Sequence, residues 1–316
     1  MYAFSFDIPR PLTFEGVMQL QVGTTRIAKE TRRSPHVVIL VHCPDEVGLI
    51  YRITGVLASQ QLNIESNQEF VDVTTSHFFF RAEVSLKTCC SAESIAQLKN
   101  ALVHNLPERA NIRIVACEPR PIVICATQEP HCLGELLLLD AVGELPGRIV
   151  AVISNHNTLR NLVERFDVPF HLVSHDEISR EEHEQHVAEL IDTYMPETIV
   201  LARYMRVLTN NFVDRYSGKI INIHHSFLPA FVGASPYRQA FERGVKVIGA
   251  TAHYVTAELD AGPIIAQDVI PVDHGFTAEQ MAQAGRDVEK IVLAKAVRLV
   301  LEDRVFVHSG RSVVFS

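Results

Sequence analysis

With 316 residues the chain is long enough for two domains, each with its own core. Hydrophobic residues at 47% and charged residues at 21% are the balance of a globular protein, and a net charge of −8 argues against nucleic acid as a bulk partner. No apolar run approaches the roughly 18–20 residues of a membrane span. The first 35 residues carry no signal-peptide core, because Asp7 and Pro9 interrupt the start; they read as an extension outside the fold, with Met18 as an alternative start. Six cysteines, at 43, 89, 90, 117, 125 and 132, form no CxxC pair, and most sit in or beside apolar runs. That pattern predicts reduced core thiols in a cytoplasmic protein rather than a disulfide scaffold.

Residues 36–118 read as one small unit. His36–His42 is a strand, Pro44–Gly48 a turn, and Leu49–Gln60 a helix with Leu49, Ile53, Val56 and Leu57 at helical spacing. Asn63–Val71 and His77–Leu86 are strands, Ser91–Leu106 a helix and Ile112–Cys117 a last strand. In the strand from His77, Phe78, Phe80, Ala82 and Val84 share one face. The order β-α-β-β-α-β is the ferredoxin-like arrangement. Glu118–Pro121 is a short stiff linker.

Residues 119–316 alternate strand and helix. Strands are expected at Ile122–Thr127, Ile149–Ser154, Phe170–Val173, Thr198–Ala202, Lys219–Ile223 and Val247–Val255. Helices are expected at Cys132–Ala141, Thr158–Phe166, from the Ser179/Glu182 capping box to Tyr194, and from the Thr277/Gln280 cap to about Glu302. Arg304–Phe315 reads as a short β tail. The alternation predicts an α/β, doubly wound, mostly parallel sheet, with ligands bound beyond the carboxyl ends of its strands.

Chemistry-bearing residues gather at those ends. Asn222 and His224, two apart on an extended chain, can face one side and aim an amide NH₂ and a ring N–H at the oxyanion of an acyl transfer. Asp260 lies on the Glu258–Pro263 turn, where partial burial would raise its pKa toward that of a useful proton carrier. Singly, each residue has a structural reading: a loop cap, a core histidine, a turn former. Around one strand end they point together to acyl chemistry on nitrogen. A metal hydrolase built on His224, His253 and Asp260 is an alternative, but no HExxH or Cys/His array at zinc spacing supports it, and no metal is expected.

Two resemblances follow. Cys43-Pro44-Asp45-Glu46-Val47-Gly48-Leu49-Ile50, with Leu62-Asn63-Ile64 opening the next strand, resembles the ACT domain, a small-molecule sensor. It implies effector binding around Asp45, Gly48, Leu49, Asn63 and Ile64, with an amino acid such as methionine or glycine as ligand, often at a subunit interface of a homo-oligomer such as a tetramer. Gly48 lets a ligand approach the backbone, and helix N-terminal amides suit a carboxylate. Asn222 to Pro229, followed by Thr256 to Ile265 with its Leu-Asp-x-Gly-Pro, resembles the formyltransferase family that uses 10-formyltetrahydrofolate, over residues 121–316.

The second resemblance implies that Asn222 and His224 polarise the formyl oxygen and that Asp260 orients or activates water. It implies that Met205, Arg206, Val207, Leu208, Val255, Thr256 and Leu259 hold the pterin ring, and that His253 lines the site. The folate is then a substrate, and no retained cofactor is expected. Relatives that formylate a ribonucleotide carry a Gly-rich phosphate loop after the first strand of this sheet; here Thr127–Leu133 has no glycine run, and Glu129 would repel a phosphate. Water is therefore the expected acceptor and the reaction a hydrolysis serving one-carbon and purine metabolism, with transfer to an amine as the alternative. Ala234 to Ala240 departs at Ser235 and Arg238 from the pattern of the family's hydrolases, and Arg238-Gln239-Ala240 looks more like its transferases, which bears on acceptor choice. A ligand sensor with a vestigial catalytic half is a further alternative, opposed by the complete Asn222, His224 and Asp260 set.

Overall fold

The computed structural model describes residues 36–85, 91–116, 118–229 and 236–316. The expected extension over 1–35, with Cys89, Cys90, Cys117 and Ser235, lies outside the described residues.

The first sheet is four antiparallel strands, β1 (His36–Pro44), β2 (Asn63–Asp72), β3 (His77–Ser85) and β4 (Asn111–Ala116), in the order β2-β3-β1-β4. Alternation sends Ile39, Val41, Phe78, Phe80, Ala82 and Val84 to one face, where α1 (Leu49–Ser59) and α2 (Ala92–Asn105) cover them. The other face carries Val38, Leu40 and Phe79. It packs against Phe306 and Phe315 of the C-terminal hairpin formed by Val305–His308 and Arg311–Val314.

The second sheet has seven strands: β5 (Arg120–Ala126), β6 (Gly147–Ser154), β7 (Phe170–Leu172), β8 (Thr198–Ala202), β9 (Ile220–His224), β10 (Val247–Tyr254) and β11 (Ile264–Pro271). They lie in the order β11-β10-β9-β8-β5-β6-β7, parallel from β7 to β9 and antiparallel across β9-β10-β11. The antiparallel edge was not readable, because an apolar run carries no strand direction. Residues 158–166 do not form one helix: a 3-10 turn at Asn157–Leu159 leads into a short α-helix at Arg160–Glu164, and only Leu159 and Val163 turn fully inward. Helices α3 (His131–Ala141), α4 (Arg160–Glu164), α5 (Arg180–Tyr194), α6 (Asn210–Arg215), α7 (Pro236–Arg243) and α8 (Ala278–Leu301) flank the sheet. One core joins α3, α4 and α8 to Ile122, Ile124, Ile221, Ala250 and Ala252 on one face. The other joins α5 and α6 to Val123, Cys125, Ile199, Leu201 and Ile220.

The two sheets meet at the end of α8. Arg81, 2% exposed, donates to the carbonyls of Glu302 and Asp303, the acceptors a helix C-terminus leaves open. Asp303, also 2% exposed and at φ 54°, accepts from Arg113 on β4 and Arg120 on β5. Removing one partner of such a buried pair leaves an uncompensated charge, a loss of about 3–5 kcal/mol. Asp303→Ala is expected to cost that much in denaturant unfolding. Asp303→Asn, which keeps an acceptor and tolerates positive φ, is expected to cost clearly less.

Candidate active site

The order of the second sheet reverses between β5 and β8, the place where open α/β sheets bind ligands beyond their carboxyl ends. A cavity of about 720 Å³ opens there, over the ends of β8 and β9. The β5 and β8 loops are tied together at its base, where the Met205 amide donates to Thr127 Oγ1 at 3.1 Å.

Four side chains meet in it. Register places His253 of β10 directly beside Asn222 of β9, and Thr251 beside His224. Asn222, His224 and His253 therefore share the sheet face opposite Ile221, Ile223 and Ala252. His253 Nδ1 lies 2.8 Å from the Tyr254 carbonyl oxygen, and its Nε2 lies 3.3 Å from Asn222 Nδ2. The loop after β10 returns Asp260 to this face. Its carboxylate lies 3.2 Å from His224 Nδ1 and 3.6 Å from His253 Nε2. The return needs a close approach at Gly262, where a Cβ would lie 1.8 Å from the Tyr254 carbonyl oxygen, and it holds Asp260 at φ 55°.

The expectation of a raised Asp260 pKa is corrected. Hydrogen bonds from His224 and then His253 outweigh its partial burial and hold it well below the usual carboxylate range. Asp260 is an anion, and a poor candidate for a group that carries a proton at rest. His224 Nε2, by contrast, is buried without a hydrogen-bond partner among the described residues, on a ring that lines the cavity.

The lining of the cavity divides by element into two parts, an apolar and a polar lobe. Over the α6 side lie Leu201, Tyr204, Val213 and every residue expected to hold the ring: Met205, Arg206, Val207, Leu208, Val255, Thr256 and Leu259. Met205, Val207 and Leu259 are more than half exposed, an apolar surface of the kind a flat ligand covers. Over the α8 side lie Glu129, Arg203, His225, Tyr237, Arg286 and Glu289. Glu289 accepts from Tyr237 Oη at 2.6 Å and His131 Nε2 at 2.8 Å, with Arg203 Nε at 3.5 Å. Burial alone would raise its pKa; the His131 bond, Arg203 and Tyr237 hold it down. Burial, then Arg203 and His224, lowers His225 to about 4, so its ring is neutral. The sequence reading singled out none of Arg203, Tyr237, Arg286 or Glu289 by role. One signal was available: Glu289 falls in the buried stripe of α8 among Met281, Val288, Val292 and Leu293.

His131, Cys132 and Glu289 have ligand atoms within 4.8 Å of one another, a group that could hold a metal. Their chemistry fits an ion pair better. Burial, then Glu289, pushes the Cys132 thiol up, so it stays protonated, and Arg203 already places a positive charge on Glu289.

The residues proposed to bind an effector do not meet within one chain. Asp45 and Gly48 follow the Pro44 end of β1, where Pro44 pairs with His77; Asn63 and Ile64 open β2 at the opposite end, where Asn63 and His36 both pair with Ser85. Eight residues of strand, about 26 Å, separate the two ends. Leu49 is in the core, and Gly48 caps α1 at φ 90°.

An amide, two imidazoles and a carboxylate at the strand ends of a doubly wound sheet, behind a ferredoxin-like unit, point to a class, and comparison with known proteins supplies it: residues 120–297 match the Formyl transferase family and residues 37–85 the ACT domain. The phosphoribosylglycinamide formyltransferase of Coxiella burnetii superposes with a TM-score of 0.59 and 32% identity, covering 62% of this chain and 94% of its own. The formyltetrahydrofolate deformylase of Haemophilus influenzae is 53% identical over 277 residues, 88% of this chain and 98% of that one. The crystal structure of a formyltetrahydrofolate deformylase from Pseudomonas syringae pv. tomato superposes with a TM-score of 0.86 at 40% identity, covering 91% and 96% of the two chains. The chain belongs to the formyltetrahydrofolate deformylase family.

A depressed Asp260 pKa also has a stability consequence. The unfolded group titrates near 4. Its contribution is present above that value and is lost as the pH falls through the lower folded value. The Tm gap between wild type and Asp260→Asn is expected to shrink as the pH is lowered below about 4 in thermal melts; a gap that widens there would contradict the ion pair.

Proposed function

We propose that the chain hydrolyses 10-formyltetrahydrofolate to formate and tetrahydrofolate. The observation that carries this reading is the Asp260 carboxylate set between His224 Nδ1 and His253 Nε2, with Asn222 beside them at the mouth of an apolar lobe. The pteridine lies over Met205–Leu208 and Val255–Leu259, and the formyl carbon comes to the strand end. His224, giving Nδ1–H to Asp260, turns Nε2 to the formyl oxygen; with a proton there it donates to the developing oxyanion, as Asn222 does through its amide. Water attacks the carbon, guided by a hydrogen bond to Asp260. As the C–O bond forms and the C–N10 bond breaks, the water's proton passes by way of Asp260 to N10, a weakly basic aryl amine that needs it to leave. Asp260 is a fixed charge and brief relay in this scheme, in keeping with its low pKa.

The ACT unit takes a small-molecule effector in this reading, an amino acid such as methionine or glycine. Its two half-sites lie at opposite ends of one sheet, so a second copy of the chain is needed to complete a pocket, consistent with a homo-oligomer such as a tetramer. Val47, Tyr51 and Val73, 80% or more exposed beside the Gly48 turn, supply apolar surface for that contact. A cytoplasmic location suits the buried free thiols Cys43, Cys125 and Cys132. Among the described residues, no helix is long and apolar enough to cross a membrane.

Purified protein given 10-formyltetrahydrofolate without any amine is expected to release formate. Release that requires an added amine would instead make it a transferase. Asn222→Ala is expected to lower kcat about 10²–10³-fold, the usual loss of one oxyanion donor. Asp260→Asn should lower it about 10²–10⁴-fold with the fold intact by circular dichroism, and full activity in that variant would refute the role. Methionine and glycine titrations by calorimetry test the effector.

A further inference from the structure

The polar lobe contains a second construction, separate from Asn222, His224, His253 and Asp260. Its parts come from four segments: His131 at the start of α3, Arg203 after β8, Tyr237 on α7 and Glu289 on α8. The Tyr237 ring lies against α8 at Gly285, where a Cβ would come within 2.1–2.3 Å of its outer ring atoms and hydroxyl. One turn further along the helix, Glu289 takes the hydroxyl at 2.6 Å. Gly285 therefore provides a seat for the ring and Glu289 an anchor for its tip. Neither the ring nor the carboxylate is free to move alone, because Glu289 is also held by His131 at 2.8 Å and faces Arg203 at 3.5 Å. The construction reaches the site through His225, whose ring is 6.3 Å from that of Tyr237 and 5.2 Å from that of His224.

We infer that Tyr237, seated on Gly285 and anchored by Glu289, is the wall that selects water over an amine as formyl acceptor. The inference deepens the deformylase reading and rests on it. Any acceptor must bring its attacking atom to the formyl carbon while the folate fills the apolar lobe. An amine R–NH₂ must then place R in the polar lobe. There R meets the Tyr237 ring, His225 and Glu289, groups already committed to one another. Water has no R, and it displaces nothing. Entry of R means breaking the Tyr237–Glu289 bond and leaving a buried carboxylate short of a donor, which is where discrimination arises. Both outcomes break the C–N10 bond and return a proton to N10. They differ in whether C–O or C–N is formed, so formate and formamide are the two products to count.

The test supplies 10-formyltetrahydrofolate with glycinamide as the probe amine and measures formate and N-formylglycinamide by mass spectrometry. It is run on wild type, Tyr237→Ala, Tyr237→Phe and Glu289→Gln. The ratio of the two products does not depend on how much of a sample is folded, so a merely structural role would lower both and leave the ratio unmoved. Wild type is expected to give formate almost alone. Tyr237→Ala should raise the share of N-formylglycinamide about tenfold or more, and Tyr237→Phe and Glu289→Gln by less. If Tyr237→Ala does not fold, the other two variants decide. Ratios within about twofold of wild type in every variant that still releases formate would overturn the inference, as would ready formylation of glycinamide by wild type. Wild type that releases no formate at all would defeat the deformylase reading instead, a different result.

Discussion

The site depends on one electrostatic fact: a single carboxylate serves two imidazoles. Asp260 sits 3.2 Å from His224 and 3.6 Å from His253, and those two rings overcome its burial and keep it charged. Each part of that contact has a backbone cause. The antiparallel pairing of β9 with β10 sets His253 against Asn222 and puts His224 on the same face. The bare Gly262, pressed on the Tyr254 carbonyl, lets the following loop fold back far enough. A positive φ at Asp260 turns the side chain inward, a small strain of the sort that functional positions retain.

Much of the fold was legible because it rests on period. The two-residue alternation of His77–Ser85 and the 3.6-residue stripe of Leu49–Ser59 each gave their element and its buried face. The direction of β10 and the existence of β11 were not legible. A strand's direction is fixed by its partners, and Asp268 breaks the apolar pattern of β11. Among site residues, Asn222 and His224 could be read because they are two apart on one strand. The turn that carries Asp260 was readable, but the pKa direction expected there was wrong. The sequence shows a turn where burial can be guessed; it does not show two histidines arriving from other strands to reverse the effect of burial. Glu289 was missed for a related reason. Its partners come from segments up to 158 residues away, and a buried acid in a helix stripe announces only that some partner exists.

The two lobes of the cavity follow from the sheet itself. One face is covered by α5 and α6 and lends the apolar lobe Leu201, Tyr204 and Val255 from its own core. The other is covered by α8, which inserts Gly285 and Glu289 into an otherwise apolar stripe. The strand end that carries Asn222 and His224 lies between them, so the two lobes draw on opposite faces of one sheet.

The same helix that shapes the acceptor lobe also ends at the joint with the first domain. From Glu289 to Leu301 is twelve residues of unbroken α-helix, about 18 Å. At its far end, Arg81 of the ACT sheet holds the Glu302 and Asp303 carbonyls, and Asp303 returns the contact to Arg113 and Arg120. The C-terminal hairpin that follows packs Phe306 and Phe315 on the ACT face opposite its helices. The sensor sheet therefore grips the catalytic domain through the helix end and the hairpin after it, with buried charges that are costly to separate. Separating the sheet from the end of α8 would strand Arg81, which is buried against the Glu302 and Asp303 carbonyls.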